Sequence, residues 1–191
     1  SGSTVKRASL HSYDQMLKLK LRVNDFVLVE KGGEIIPKIT GIDQERRGSS
    51  EDEIIFPEIC PECNRKLEKL ESEANYFCTN YIDCRPQAIG RIQHFVSRKA
   101  MNIDGLGDET IRLFYDLGFL RDIADIYNLN YDEISKIEGY GEKSAKNLEK
   151  GIEESKSNSF QKVLFGIGIR YVGESASKKI IKHVDSIDKL A

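Results

Sequence analysis

The 191-residue sequence has no long apolar run, no large charge imbalance and no cysteine outside one short segment. No run approaches the eighteen or so apolar residues that a membrane-spanning helix needs, so we expect a soluble protein. The formal net charge is −2 at pH 7, whereas nucleic-acid-binding domains are often strongly basic. Any binding to nucleic acid must therefore depend on local contacts and not on the overall charge.

Catalytic signatures are also absent from the sequence. It contains no P-loop and no pair of carboxylates in a convincing acid–base arrangement. His11, His94 and His183 lie far apart, and none has an acid or a nucleophile at catalytic spacing. Asn102, and not a lysine, stands two residues before Asp104, which excludes a nucleotide-attaching Lys-x-Asp-Gly site. We therefore expect a binding platform without catalytic residues of its own.

The four cysteines form two closely spaced pairs, Cys60 with Cys63 and Cys78 with Cys84. Each pair can bring two thiolates to one side of a tetrahedral ion, for which zinc is the natural occupant. Asn64, directly after the first pair, tolerates the left-handed backbone conformation that such turns use. The gap of five residues in the second pair is longer than usual in a zinc ribbon. Four protein ligands leave no position for water, so the spacing predicts a structural zinc ion.

Two disulfide bonds are the alternative for these cysteines. Disulfides are typical of secreted chains, and nothing in the sequence resembles a signal peptide. Reduced cysteines favour the cytoplasm instead. We expect the zinc ion to supply the folding energy of residues 57–86, which have almost no apolar core of their own.

Residues 4–56 carry a β pattern. Apolar runs at residues 26–30 and 34–39 flank the Lys-Gly-Gly sequence of residues 31–33, which predicts a hairpin with glycine at positive-φ positions. A short helix is expected over residues 12–19. Two strands bury too little apolar surface to be stable alone. Either other parts of the chain complete this region or its remaining strands lie outside the sequence.

Residues 87–191 contain an internal repeat. Each copy has an apolar residue, a glycine-rich turn, an acidic residue and then an amphipathic helix. The copies lie at residues 103–111, 137–145 and 169–176, and residues 188–190 resemble the start of another. Three copies in register predict tandem helix-hairpin-helix motifs, with the chain ending just inside a fourth.

The apolar positions of each copy predict which side chains face its core. In chain order they are Ile111, Phe114, Tyr115 and Leu117; Ala145, Leu148 and Ile152; and Ala176, Ile180, Ile181 and Val184. Gly118 predicts the end of the first of these helices. Pro86 predicts the first turn of an earlier helix, with an apolar face of Ile89, Ile92 and Val96. The third copy departs from the others, because Tyr171 stands where they have their first glycine.

A Gly-x-Gly turn followed at once by a helix exposes backbone N–H groups at the positive end of the helix dipole. Such a site suits phosphate and reads no base, so we expect sequence-independent binding to the backbone of duplex DNA. We expect Gly141 to need a positive φ in such a turn. The predicted DNA contacts are Gly105, Gly107, Gly139, Gly141, Lys143, Lys146, Arg170 and Gly173. Nearby cations that could add to them are Arg98, Lys99, Lys178 and Lys179.

Each element of this prediction has a plainer alternative. Any one turn could simply join two helices, and any one of the cations could be a solvated surface residue. At the level of function, the alternatives are a free-standing architectural DNA-binding protein and a zinc-stabilised module whose helical repeats bind protein.

Several motifs occur in an order that resembles the C-terminal half of bacterial NAD-dependent DNA ligases. From Thr4 onward these are residues 8–11 and 32–37, the four cysteines, residues 94–101 with 103–107, and residues 168–174. The resemblance implies a multidomain α+β architecture. Its parts are a partial OB-fold β-barrel segment over residues 4–56, a four-cysteine zinc finger over 57–86, and an all-α tandem helix-hairpin-helix domain over 87–191.

The resemblance implies part of an enzyme that seals single-strand nicks in duplex DNA during replication and repair. In this family, a nucleotidyltransferase domain takes AMP from NAD onto a lysine and passes it to the 5′-phosphate of the nick. Magnesium-assisted attack by the 3′-hydroxyl then closes the backbone. The adenylated lysine, the NAD-binding residues and the family's BRCT domain have no counterpart in this sequence.

Several expectations follow from what is shared and what is missing. The zinc ligands map onto Cys60, Cys63, Cys78 and Cys84. NAD and magnesium are expected to bind the parent enzyme and not this chain, which alone should seal no nicks. We expect a cytoplasmic monomer that works in cis with the nucleotidyltransferase domain.

Overall fold

The computed structural model describes residues 4–31, 36–48, 52–69, 71, 73–184 and 186–189. The chain divides into two compact units, Ser1–Thr79 and Asn80–Ala191, which we call the N-terminal and C-terminal units. The N-terminal unit contains one helix and four short strands in its described part, whereas the C-terminal unit is helical. Within the described ranges, no helix is long and apolar enough to cross a membrane.

The N-terminal unit contains the short helix α1 (Tyr13–Leu19). The Ser12 side chain caps it by accepting a hydrogen bond from the Gln15 N–H, and Asp14 lies in the first turn, where the helix dipole favours an acidic residue. Lys20 ends the helix in the left-handed conformation, at φ 51°. The helix predicted over residues 12–19 is therefore confirmed.

Two strands pair next to this helix, β1 (Val27–Glu30) and β2 (Lys38–Ile42). They are antiparallel, with Val27 opposite Ile42 and Glu30 opposite Lys38. The first predicted strand is confirmed, but the second begins four residues later than its apolar run. Pro37 explains the shift, because proline has no N–H to donate to the strand ladder. The glycines of the predicted hairpin, Gly32 and Gly33, lie outside the described residues.

Apolar side chains of the N-terminal unit are largely exposed. In its described part, the buried ones are Leu21, Cys60 and Cys78. Phe26 and Leu28, on and beside β1, are each 56% exposed. This pattern agrees with the expectation that two strands alone bury too little apolar surface to form a core.

A partly buried ion pair joins Asp25 to Arg47. The Asp25 carboxylate, only 2% exposed, accepts hydrogen bonds from the Arg47 Nε at 2.7 Å and from the Arg22 backbone N–H at 2.7 Å. The hydrogen bond from Arg47 is the main cause that holds the pKa of Asp25 below its usual value. A carboxylate with a lowered pKa stabilises the folded state above its unfolded pKa and loses that effect as the pH falls through the folded value.

We therefore expect Asp25→Asn to weaken the N-terminal unit at pH 7 more than at acidic pH. The difference in unfolding midpoint between wild type and variant should shrink as the pH falls below about 4, near the pKa of an unfolded aspartate. Denaturant unfolding across that range would measure it, with Glu45→Gln at an exposed position as the control. A difference that is constant with pH would show that Asp25 acts by packing and not by its charge.

The C-terminal unit contains six helices in its described part. They are α2 (Arg85–Val96), α3 (Asp108–Asp116), α4 (Tyr131–Ile134), α5 (Glu142–Ser155), α6 (Phe160–Ile167) and α7 (Glu174–Ile180), with a 3₁₀ turn at Asp125–Asn128. Cys84 is the N-cap of α2, and Pro86 occupies its first turn as predicted. The helices α3, α5 and α7 directly follow Gly107, Gly141 and Gly173.

The core of this unit is formed by α2, α3 and α5, together with buried residues of the segments that join them and of α4. The predicted positions on their apolar faces are buried: Ile89, Ile92, Val96, Ile111, Phe114, Tyr115, Ala145, Leu148 and Ile152. Leu117 is 51% exposed, so its core assignment is wrong. The reason is local, because α3 ends at Asp116 and Gly118 turns the chain away at φ 84°. In the third copy, Ala176, Ile180, Ile181 and Val184 are only half-buried.

Candidate metal centre and nucleic-acid interface

The first cysteine pair lies on a tight backbone turn. The Asn64 N–H donates to the Cys60 carbonyl at 2.9 Å, and the Cys60 N–H donates to the Arg65 carbonyl at 2.7 Å. Asn64 has a φ of 58°, which confirms the left-handed conformation predicted for it. The turn therefore directs the Cys60 and Cys63 side chains from one short loop.

A small hairpin brings the third cysteine to the first pair. The strands β3 (Leu67–Glu68) and β4 (Phe77–Cys78) are antiparallel, with Leu67 opposite Cys78. The two strands form a small hairpin between the cysteine pairs. Its pairing places the Cys78 Sγ 3.5 Å from the Cys63 Sγ.

The five-residue gap before the fourth cysteine closes as a capped turn. The Asp83 N–H donates to the Asn80 side-chain oxygen at 3.2 Å, and the Cys84 N–H donates to the Asn80 carbonyl at 3.3 Å. Helix α2 then starts directly after Cys84. The additional residues between Cys78 and Cys84 therefore form a turn that leads into α2.

The four Sγ atoms fit one zinc ion. They all lie within 4.8 Å of one another, and the cysteines are buried except for Cys63, which is half-buried. A tetrahedral ion with Zn–S bonds of about 2.3 Å separates its sulfurs by about 3.8 Å. All four residues are thiols, and the 3.5 Å between Cys63 and Cys78 sulfurs is well beyond a disulfide bond of about 2 Å. The donor set is that of a closed structural zinc site, as predicted, and the disulfide alternative is excluded.

The three glycine-rich turns share one backbone conformation. Their first positions have positive φ, with 91° at Gly105, 84° at Gly139 and 66° at Tyr171. Their second positions are extended helix N-caps, and Gly141 has a φ of −131°. The expectation that Gly141 needs a positive φ is therefore wrong. In this turn the residue with a positive φ is Gly139.

The second glycines leave open space at the helix N-termini. A side-chain carbon placed on Gly107 or Gly141 would meet no atom within 4 Å, and both residues are exposed. Glycine caps offer no side-chain acceptor to the first N–H groups of α3 and α5, so those groups can face an external anion.

The charges around these N-termini have both signs. Asp108 and Glu109 lie in the first turn of α3, and Glu142 lies in the first turn of α5. Lys143 and Lys146 are both exposed next to the second turn. The backbone N–H groups and these lysines must therefore supply the attraction to an anion.

The first two copies of the repeat pack on each other reciprocally. A side-chain carbon placed on Gly105, in the first turn, would lie 3.5 Å from the Cα of Leu148 on α5. Conversely, Tyr140, in the second turn, packs its ring on Phe114 of α3 at 5.4 Å between centroids and donates a 2.7 Å hydrogen bond to Thr110. Each turn therefore lies on the helix of the other copy, and both turns belong to one packed pair.

The third copy is held in a different way. Helix α6 packs on α2, where the His94 Nε2 lies 2.9 Å from the Phe165 carbonyl and the two rings meet edge to face. Arg170 and Gly173 flank Tyr171 in the third turn, with the Arg170 guanidinium 5.4 Å from the Tyr171 ring centroid.

Charges near the third turn are partly paired. Lys178 forms a 3.1 Å ion pair with Glu174. This bond is the main cause that holds the pKa of Glu174 below its usual value, and the charge of Lys99 adds to the effect. Lys99 and Lys178, which the sequence offered as extra cations, thus both lower the pKa of Glu174 in the first turn of α7.

Sequence patterns do not reveal two of these contacts. The Tyr140–Thr110 hydrogen bond and the His94 contact with Phe165 join residues 30 and 71 positions apart. No periodicity links such distant positions. Only the position of Tyr140 between two glycines marks it as part of a turn.

Comparison with known families gives three matches along the chain. Residues 1–51 match the NAD-dependent DNA ligase OB-fold domain, and residues 60–85 match the NAD-dependent DNA ligase C4 zinc finger domain. Residues 97–154 match a SAM-like helix-hairpin-helix tandem, which covers the first two copies of the repeat. The predicted fold class, with its three kinds of domain, is therefore confirmed.

Relatives with the name DNA ligase match the chain over its whole length. Those of Flavobacterium psychrophilum and Phocaeicola vulgatus are each 53% identical over 191 residues, and that of Bacteroides fragilis is 51% identical over 190 residues. The chain spans only about 29% of the length of these relatives.

Proposed function

Because the chain belongs to the NAD-dependent DNA ligase family, we propose that it is the part of such a ligase that holds nicked duplex DNA by its phosphate backbone. The observation that carries this proposal is the reciprocal packing of the first two turns, each with an exposed helix N-cap. Two such N-termini can bind two phosphates without reading a base. The net charge of −2 is no obstacle, since backbone dipoles need no excess of cations.

In this proposal the three domains have separate roles. The OB-fold segment covers residues 4–56, the zinc finger covers 57–86 and the helix-hairpin-helix domain covers 87–191. Cys60, Cys63, Cys78 and Cys84 hold a structural zinc ion, whose role is to fix the zinc finger. The phosphate contacts are made by Gly105, Gly107, Gly139 and Gly141, with Lys143 and Lys146 beside them.

Catalysis in this proposal belongs to the rest of the ligase. The lysine that takes AMP from NAD lies in a nucleotidyltransferase domain that acts in cis, in the bacterial cytoplasm, and this chain adds DNA binding as a monomer. Incubation of the chain with NAD and magnesium should therefore give no adenylated protein. Mass spectrometry that found a covalent AMP adduct would contradict this assignment.

Fluorescence anisotropy of labelled DNA tests the binding itself. Nicked, intact and single-stranded DNA of unrelated sequences would be titrated with the chain at several salt concentrations. We expect duplex binding that weakens steeply with salt, because each neutralised phosphate contributes about 0.9 to the slope of log K against log salt. Absence of duplex binding at low salt would contradict the proposal, and salt-independent binding would favour a protein-interaction module.

Replacing Gly141 by valine separates DNA binding from folding. Its φ of −131° suits any residue and its surroundings are open, so we expect a loss of stability of no more than about 1 kcal/mol. The added branch would instead keep a phosphate from the N–H groups of α5. A lost hydrogen bond to a charged group is worth about 1.5–3 kcal/mol, so affinity for duplex DNA should fall about tenfold or more.

Gly139→Ala, at the positive-φ position of the same turn, is the variant to compare for stability. At φ 84° an alanine is strained by roughly 1–2 kcal/mol, so here stability should fall. Anisotropy and thermal unfolding, measured on both variants with their zinc content, distinguish the two effects. Unchanged DNA affinity in Gly141→Val would show that this turn only packs the domain.

A further inference from the structure

In the third turn of the repeat, Tyr171 has a backbone conformation that is unfavourable for tyrosine. At the equivalent position the first two turns have Gly105 and Gly139, both with positive φ, and the third has Tyr171 at φ 66°. A bulky residue is rare in this left-handed conformation, which glycine adopts at no steric cost. Folding alone would therefore favour glycine at position 171 as well.

Side chains of the third turn are exposed. The Tyr171 side chain is 73% exposed, and Ile169 in the same turn is 43% exposed. The core cluster of the C-terminal unit is built by other residues, between Ala88 and Ile152. Most of the Tyr171 ring is therefore open to a contact outside the chain, and residues in strained backbone conformations cluster at ligand-binding sites.

The neighbourhood of the ring indicates the kind of ligand. The Arg170 guanidinium lies 5.4 Å from the ring centroid, and Gly173 at the end of the turn is exposed with no atom within 4 Å of an added side-chain carbon. A flat apolar face and a cation side by side match a nucleotide, which has an apolar sugar or base next to a phosphate. Lys179, also exposed, lies on the following helix α7.

We propose that Tyr171 and Arg170 form a side-chain contact to DNA, with the ring against a deoxyribose or base and the guanidinium against the adjacent phosphate. This inference rests on the proposed function and names a different kind of contact for the third turn. The first two turns bind phosphate through backbone N–H groups at helices of nine and fourteen residues. Helix α7 has only seven residues, and its turn acts through side chains instead.

The test uses anisotropy with nicked and intact duplex DNA over a range of salt concentrations. Tyr171→Phe keeps the ring and should bind within about twofold of wild type. Tyr171→Asn and Tyr171→Gly remove the ring but suit the left-handed conformation, and each should weaken binding about tenfold with the salt slope unchanged. Arg170→Gln should reduce the salt slope by about one, because it removes one phosphate contact.

Arg121→Gln is the matched control for the arginine. Its guanidinium also lies over a tyrosine ring, that of Tyr115 at 4.6 Å, at the end of α3 opposite Gly107. This variant should keep both the affinity and the salt slope of wild type. A reduced slope in Arg121→Gln equal to that in Arg170→Gln would overturn the assignment of Arg170.

Thermal unfolding of the same variants separates ligand contact from a structural role. Tyr171→Gly should unfold at the same or a higher temperature than wild type, because it relieves the strain while DNA affinity falls. Wild-type affinity in Tyr171→Gly, or a loss of affinity that accompanies a fall in unfolding temperature, would overturn the inference. Failure of wild type itself to bind duplex DNA would instead overturn the proposed function, and it would be seen before any variant is measured.

Discussion

Removal of zinc is expected to unfold residues 57–86 and to leave most of the helical signal of the C-terminal unit intact. The described residues of this segment bury little apart from the cysteines themselves, so the metal takes the place of a core. Apparent zinc-binding free energies of about 10–16 kcal/mol are typical of such modules and act as their folding energy. The helices of the C-terminal unit have their own buried core, with Ile92, Ile111 and Phe114 fully buried.

The variant Cys84→Ser makes this test sharper than a chelator alone. Cys84 is both a cluster member and the N-cap of α2. Serine binds zinc poorly but is among the best N-cap residues, so the variant should lose zinc and keep the start of α2. Glu62→Gln, an exposed change between the first two cysteines, is the control and should keep one zinc per chain.

Metal analysis, far-UV circular dichroism and limited proteolysis would measure the outcome. We expect zinc-free protein to be cleaved within residues 57–86 while its helical signal falls only slightly. Cooperative loss of the whole helical signal would show instead that the metal also holds the C-terminal unit together. Full retention of zinc by Cys84→Ser would exclude Cys84 as a ligand.

Sequence patterns predicted the features that depend on spacing along the chain. The apolar faces of α2, α3 and α5 follow from helical periodicity, since buried residues such as Ile92, Ile111 and Leu148 recur at helical intervals. The cysteine spacing predicted the metal cluster, because two short gaps leave few other ways to use four thiols. The repeat predicted the helices after Gly107, Gly141 and Gly173.

Features that depend on backbone detail or on distant partners could not be predicted in this way. A Gly-x-Gly sequence does not say which glycine has the positive φ, and the structure assigns it to Gly139 and not to Gly141. The start of β2 depends on the missing N–H of Pro37 and not on the apolar pattern. The contact between Tyr140 and Thr110 depends on the packing of two copies, which only the folded chain reveals.

Alanine at Gly151 is expected to destabilise the C-terminal unit, although Gly151 lies inside α5. In an exposed helix, glycine to alanine stabilises by about 1 kcal/mol. At Gly151, however, the new side-chain carbon would lie 2.9 Å from the carbonyl oxygen of Asp104 in the first turn. This oxygen belongs to backbone, so either the turn or the helix must move, and such overpacking costs typically about 1–3 kcal/mol.

Gly90→Ala is the matched control, because Gly90 lies inside α2, is exposed and has no atom within 4 Å of an added carbon. Denaturant unfolding followed by the helical signal should show Gly90→Ala slightly more stable than wild type and Gly151→Ala less stable. The gap between the variants should be about 2 kcal/mol. Because Asp104 lies in the first turn, Gly151→Ala should also bind duplex DNA more weakly than Gly90→Ala. Equal stability of the two variants would mean that the first turn moves away from α5 without cost, and the reciprocal packing would then not fix the distance between the two phosphate sites.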